Sequence, residues 1–433
     1  MRLLILVIVL TASAADAQAP PQIRQIGVLE HMTPTSMVLA SVTNALAMPG
    51  GRVLINDTRG RRVLLLDSTL SRATVVADST DATANTYSYS WSTLVRYRGD
   101  TALLMVPSSL SMFIITPAGV LGRIMAMPRP EEAPMLAASW GGVSAFDPRG
   151  RLVYFGGRGV LGGVLTLRTG MPLVENGKLT EVGAMLNHNM PDFLRPDGVR
   201  LDSSVIVRVD PQTRGLDTLA WLHIPKFRRQ IKLDETGSAS AIETTPDPMP
   251  IIDQWILLRD GTLAVVRGRD FHIDWLDPSG HWSSSPKIPF DWQHVDDARK
   301  RQLIDSAVAQ RQDQYERVAG GRGSGAGRGG VAGRYPSPTP NIAVRPGLAE
   351  VADYAPAFGE HSVESDEDGN LWIRTTQIAD GRPVYDVVNR RGVVIDRVQL
   401  PRFRSVAGFG PGVIYMAVID PNGVVRLERA RLR

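Results

Sequence analysis

The chain has no cysteine among its 433 residues. That excludes disulfides, a lipid-modified N-terminal cysteine and any chemistry that needs a thiolate. Only small secreted folds depend on disulfides, and a chain this long buries enough surface without them. Aromatic residues are sparse at 6%, and the seven histidines are scattered. The signatures G-x-S-x-G, H-E-x-x-H and the Walker loop are all missing, so the hydrolase, metalloprotease and nucleotide-binding classes that carry them find no support. Lysines are few, and the arginines are spread along the chain at a formal net charge of +4. Such a distribution gives no basic stripe, and no nucleic-acid partner is expected.

Long apolar runs are also missing, with one short exception. Met1-Arg2 precedes the run Leu3 to Leu10, and small residues follow to Ala15-Asp16-Ala17. The run is too short to span a bilayer, and its setting is that of a secretory signal peptide. Cleavage is expected after Ala17, because a cut after Ala19 would leave Pro20 directly beyond it. Removing Arg2 and Asp16 leaves the formal charge unchanged. Residues 1–17 therefore predict an exported protein, periplasmic or extracellular, and the lack of cysteine suits a bacterial envelope.

What the chain has in quantity is turn chemistry, with 41 glycines and 30 prolines, a balance that favours a turn-rich all-β fold. It also repeats itself. The first unit runs Val42 to Met48, turns at Pro49-Gly50-Gly51, continues Arg52 to Asp57, resumes at Arg62 to Asp67 and ends with Ala73 to Ala77. The second uses Leu94 to Tyr97, Ala102 to Val106, Met112 to Thr116 and Val120 to Met125. The third begins Val143 to Phe146, turns at Asp147-Pro148-Arg149-Gly150, runs Arg151 to Phe155 and resumes at Val205 to Asp210. The fourth uses Gln254 to Leu258, Thr262 to Arg267 and Asp270 to Asp277. The fifth runs His361 to Ser365, Leu371 to Thr375, Val384 to Asn389 and Val393 to Gln399. The sixth shows three strands, Val406 to Phe409, Val413 to Ile419 and Val424 to Ala430. Each segment is too short and too β-branched for a helix, and the intervening D-x-x-G turns suit tight reversals. Units that cannot bury both faces alone do so when set radially. The expectation is a six-bladed β-propeller over residues 18–433, closed by a strand within Ile23 to Leu29 that pairs with the C-terminal unit.

Three insertions interrupt the repeats: 157–203, 224–250 and 286–357. The last carries a predicted helix over 296–318, with Leu303, Ile304, Ala307, Val308 and Tyr315 on one face. Glycines and arginines follow from Gly320 to Gly333, then Pro336-Ser337-Pro338. That composition predicts a loose surface loop over 320–340.

The segment Val53 to Leu66 resembles an NHL-type propeller repeat: an apolar strand, an aspartate, four turn residues, an arginine and a second apolar strand. Asp57 and Arg62 stand at that spacing and are expected to form a structural turn pair. The whole also resembles the broader six-bladed TolB-like class, whose members differ in role, so the fold alone assigns none.

Two functional readings stand. In the first, the ring is a binding or interaction scaffold for a protein, small-molecule or carbohydrate ligand, and a monomer is expected. Its candidate contacts are Asn187, His188 and Asn189 in the first insertion and the aromatics Trp282 and Trp292. In the second, it is a metal-dependent hydrolase resembling the gluconolactonase and senescence-marker family. That resemblance implies a divalent cation in the central channel, with Glu364, Asn44 and Asp57 as candidate ligands. His272 and Asp274 fall on one face of their strand and are expected to be a hydrogen-bonded pair.

Overall fold

The computed structural model describes residues 21–27, 30–31, 39–80, 87, 92–133, 136, 142–156, 174–175, 178–179, 201–233, 239–323 and 340–432. Residues 1–17, expected to be a signal peptide, the Asn187-His188-Asn189 motif and most of the glycine-rich stretch lie outside these residues.

The N-terminal segment supplies β1 (Ile23–Gln25) and β2 (Glu30–His31). Blade 1 follows as a meander of β3 (Asn44–Ala47), β4 (Val53–Asp57), β5 (Arg62–Leu66) and β6 (Ala73–Ala77). Blade 2 repeats it with β7 (Thr93–Arg96), β8 (Ala102–Val106), β9 (Ser111–Ile115) and β10 (Leu121–Ala126). Blade 3 begins with β11 (Ala145–Phe146) and β12 (Leu152–Gly156). A small hairpin, β13 (Val174–Glu175) and β14 (Lys178–Leu179), follows, and then the blade resumes with β15 (Leu201–Val209) and β16 (Leu216–Leu233). The strand β17 (Ala239–Thr245) pairs with the far half of β16.

Blade 4 is β18 (Gln254–Leu257), β19 (Leu263–Arg267), β20 (His272–Leu276) and β21 (Trp282–Ser284). After it come the helix α1 (Asp297–Gly323) and β22 (Asn341–Ala343), which adds parallel to β17. Blade 5 is β23 (Phe358–Ser365), β24 (Leu371–Ala379), β25 (Arg382–Val388) and β26 (Val394–Gln399). Blade 6 is β27 (Arg404–Gly410), β28 (Val413–Ile419) and β29 (Val425–Arg431). The six blades form a ring.

Burial explains the radial order. All five residues of β4, of β8 and of β12 are buried, because neighbouring blades cover both faces of a second strand. Such strands read as continuous apolar runs rather than alternating ones. Outer strands meet water instead; β21 is exposed throughout and β10 mostly so. The cores lie between blades. Leu54 and Leu65 of blade 1 pack with Leu94 and Leu104 of blade 2, and Val266 and Phe271 of blade 4 with Phe358 and Ile373 of blade 5. The circuit is completed where Val53, Ile55 and Leu64 of blade 1 meet Ala407, Tyr415 and Leu427 of blade 6.

Turn chemistry sets the repeat. The side-chain oxygen of Asp67, Asp277, Asp366, Asn389 and Asp420 in each case accepts the backbone N–H groups two and four residues on. That local bond makes aspartate and asparagine strong turn formers. The reversal then needs positive φ, which Gly280 supplies at 93° and Leu70, fully buried, at 59°.

The N-terminal segment closes the ring, with a shift along the sequence. Glu30–His31 pairs antiparallel with β29 and completes blade 6. Ile23–Gln25 instead adds parallel to β26 on the edge of blade 5, where Arg24 bonds Asp396 at 2.6 Å. Between them Ile26 is buried in the core shared by blades 5 and 6. A short segment crossing from one blade edge to the next satisfies both edges, so the pairing divides between two blades.

The insertions differ from expectation in extent. The strand β16 leaves blade 3 unbroken and reaches Leu233 inside the 224–250 insertion. Pro225 falls where the register against β15 shifts, as a strand proline must. The helix runs on to Gly323, into the glycine-rich stretch, since extension of a nucleated helix tolerates a few poor formers. Its Ile304, Leu303 and Val308 pack on Met249, Val295 and Val351, and Lys300, itself buried, reaches Asp353 at 2.5 Å.

Candidate binding site at the channel mouth

Every blade is entered by its innermost strand, so the C-terminal ends of β3, β7, β11, β18, β23 and β27 converge at one mouth of the channel. There the Arg96 guanidinium leaves the end of β7 and reaches three other blades. Its Nη1 donates to the Ala47 carbonyl of blade 1 at 3.2 Å. Its Nη2 donates to Glu367 Oε1 of blade 5 at 3.0 Å and to the Phe409 carbonyl of blade 6 at 3.4 Å. The other carboxylate oxygen of Glu367 pairs with Arg259, just past β18 of blade 4. A bridge of two arginines on one glutamate thus joins opposite sides of the ring.

The bridge is only partly wet. The Glu367 side chain is 15% exposed, that of Arg96 35% and that of Arg259 52%. Burial, and after it the charge of Arg259, pull the proton affinity of Arg96 down, while Glu367 pushes it back up. The Tyr415 hydroxyl of blade 6 lies near enough to feel both Arg96 and Glu367, and burial raises its pKa.

Three residues deeper on β23 stands Glu364, opposite Trp372 in the register. The residue as a whole is half-buried, protein surrounds its carboxyl, and burial pushes its pKa up to about 7. Among the described residues it has no hydrogen-bond or ion-pair partner. Trp372, Tyr385 and Phe409 form the apolar wall of the same inter-blade core.

The other candidates lie elsewhere. Asn44 is on an inner strand, and its amide donates to the Leu94 carbonyl of blade 2 at 2.6 Å, bracing two blades. Asp57 ends β4, so it stands at the opposite mouth from Glu367. Its fully buried carboxylate accepts from the backbone of Ala40, Ser41 and Gly60, from the Ser41 hydroxyl and from Arg62 Nε at 3.0 Å. The fold therefore does not gather Glu364, Asn44 and Asp57. Among the described residues no three histidine, aspartate or glutamate side chains are placed to share a metal ion. His272 is held between Asp270 at 2.7 Å and Asp274 at 3.2 Å, within the network of Arg267. Trp282 is 40% exposed on the outer strand of blade 4, and Trp292, 36% exposed, packs edge-on against Phe290. Neither tryptophan is at the mouth. Asn187, His188 and Asn189 lie outside the described residues.

Arg96, Arg259 and Glu367 were not singled out by the sequence, although each sits at the end of an inner strand or in the turn beyond it. Their shared position in the repeat is the signal that could have found them. Its meaning depends on which turns face one another across the ring.

No protein-family model matches the chain, and no curated protein does. Among solved structures the chain is similar to virginiamycin B lyase from Staphylococcus aureus, at 11% identity and a TM-score of 0.37, covering 93% of this chain and 99% of that one. It is similar to the calcium-binding protein regucalcin from Agrobacterium tumefaciens, at 12% identity and a TM-score of 0.36, covering 94% and 97%. An exported protein from Bacteroides fragilis gives 8% identity and a TM-score of 0.41, covering 94% and 95%. Likenesses this distant carry no inference about activity, and the six-bladed assignment rests on the sheet order and inter-blade cores described above.

Proposed function

We propose that the protein is an exported six-bladed propeller of the NHL and TolB-like kind, working as a binding scaffold. Its ligand is a small molecule held at the channel mouth. The observation that supports this is the Arg96–Glu367–Arg259 bridge. Side chains from three blades, with carbonyls from two more, converge there in a half-buried setting. Convergent polar groups in a concave, rigid frame are what small-molecule sites require. The leader sequence supports export, and a mature N-terminus at Gln18 is the expected result of terminal sequencing.

The test is a thermal-shift series on the mature protein with small carboxylates, neutral sugars, lactones and divalent cations. A ligand that binds the native state raises the midpoint. The expected result is a rise with at least one compound that Arg96→Leu abolishes. Silence with every compound, or a rise indifferent to Arg96→Leu, would overturn the reading.

Glu364 favours a second reading, the hydrolase. A carboxyl that titrates near neutrality beside a channel suits acid–base chemistry. The three residues considered as cation ligands do not fit a shared site, so this reading leans on Glu364 alone. Lactone hydrolysis lost in Glu364→Gln, assayed with and without added divalent cations, would support it.

A further inference from the structure

We propose that Glu367 is an internal stand-in for a ligand, and that Arg96 and Arg259 form a receptor for a small carboxylate that displaces it. This rests on the channel-mouth reading and names the ligand class for that site.

Four observations support it. The two oxygens of Glu367 are divided between guanidiniums from two different blades, the second and the fourth, an arrangement suited to a planar carboxylate. Arg259 has no other hydrogen-bond or ion-pair partner among the described residues and is half exposed, so most of its N–H donors are free for a second acceptor. Charge is in excess, with two guanidiniums to one carboxylate. The adjacent Asp260 is taken by Arg390 at 2.8 Å, and Asp100, the other acid felt by Arg96, acts more weakly on it than Glu367 does. Finally, the backbone around Glu367 is held by its neighbour. Asp366 accepts from the N–H groups of Asp368 and Asn370, from the Asn370 amide and from Trp372 Nε1. The Glu367 side chain can swing away while that turn stays built.

An occupant and a contributor respond oppositely to substitution. Removing an occupant frees the site, whereas removing a contributor weakens it. The experiment is calorimetric titration of the mature protein with acetate, succinate and gluconate, with glucose as the neutral control. Glu367→Gln is expected to bind at least one of these acids about tenfold more tightly than the parent, and Arg259→Gln about tenfold more weakly. Arg259→Lys keeps the charge without the planar fork and should fall between. Melting curves of each variant establish that the ring is folded, and Arg259, half exposed on a turn, is a position where folding should survive.

Acid binding that is unchanged or weaker in Glu367→Gln would overturn the proposal, because Glu367 would then be a part of the site. Binding of glucose but of no acid would overturn it while leaving the channel-mouth reading intact. No binding by any variant, together with a silent thermal-shift series, would overturn both.

Discussion

Asp57 and Glu364 are both carboxylates shut into the same ring, and their surroundings differ completely. Asp57 is met by backbone and side-chain donors from the incoming segment, from its own turn and from Arg62. Replacing it with alanine strands those donors in a buried place. A loss of about 3 kcal/mol or more is expected, read as a lower denaturant midpoint. Glu364 has no such company among the described residues, and burial raises its pKa from 4.5 to about 7. The native state therefore holds its proton more tightly than the unfolded chain does. The destabilisation this causes is absent below pH 4.5, grows as pH rises from 4.5 to 7, and is complete above that. Glu364→Gln should stabilise the protein by about 2 kcal/mol at pH 8, allowing for the half-buried setting of the residue, and have no effect near pH 4. Equal gains at both pH values would show that the carboxyl's charge is not the cause. The sequence displayed the Asp57–Arg62 spacing because both residues belong to one hairpin. It could not show that Glu364 would lack a hydrogen-bond or ion-pair partner among the described residues, since that depends on the facing blade.

At the scale of the element, the crossing segment from Ile23 to His31 joins two blade edges, and among its residues of described burial Ile26 is the one buried. Ile26→Ala is expected to cost about 2–4 kcal/mol, measured by denaturant unfolding. Loss of the Arg24–Asp396 pair, about one-third exposed on each side, should change little. The meanders of blades 1, 4 and 5 were legible because each combines a buried apolar strand with a D-x-x-G or x-D-G turn, and that of blade 2 because its apolar strands alternate with turns at Gly99-Asp100 and Pro117-Ala118-Gly119; these signals are local. The far half of β16 was not, because Pro225 interrupts its pattern and only the register shift against β15 absorbs the missing N–H. The division of the closing strand was equally hidden. Ile23–Gln25 and Glu30–His31 carry nothing that says which of two edges each will meet. The site was the least legible part, because Arg96 and Glu367 stand 271 residues apart and meet only across the finished ring.

Across the whole molecule, the count of six units was written in the repeats, while the tightness of the ring depends on contacts that no single unit contains. One of these is at Gly408, where an added Cβ would come within 2.0 Å of the Ala45 carbonyl oxygen on the inner strand of blade 1. Backbone this close leaves no slack between the last blade and the first. Gly408→Ala is expected to push the two inner strands apart, lowering the melting midpoint and increasing proteolytic nicking of residues 21–31. A midpoint equal to the parent's would show that the seam yields freely. The last feature concerns time as much as space. The strand β29 ends at Arg431 and takes its outer neighbour from Glu30–His31. A growing chain keeps its earliest strands waiting, and the edges of β26 and β29 open, until β29 itself has been added. Closure therefore waits on the sixth blade, and a copy cut short within that blade would have nowhere to place Glu30–His31.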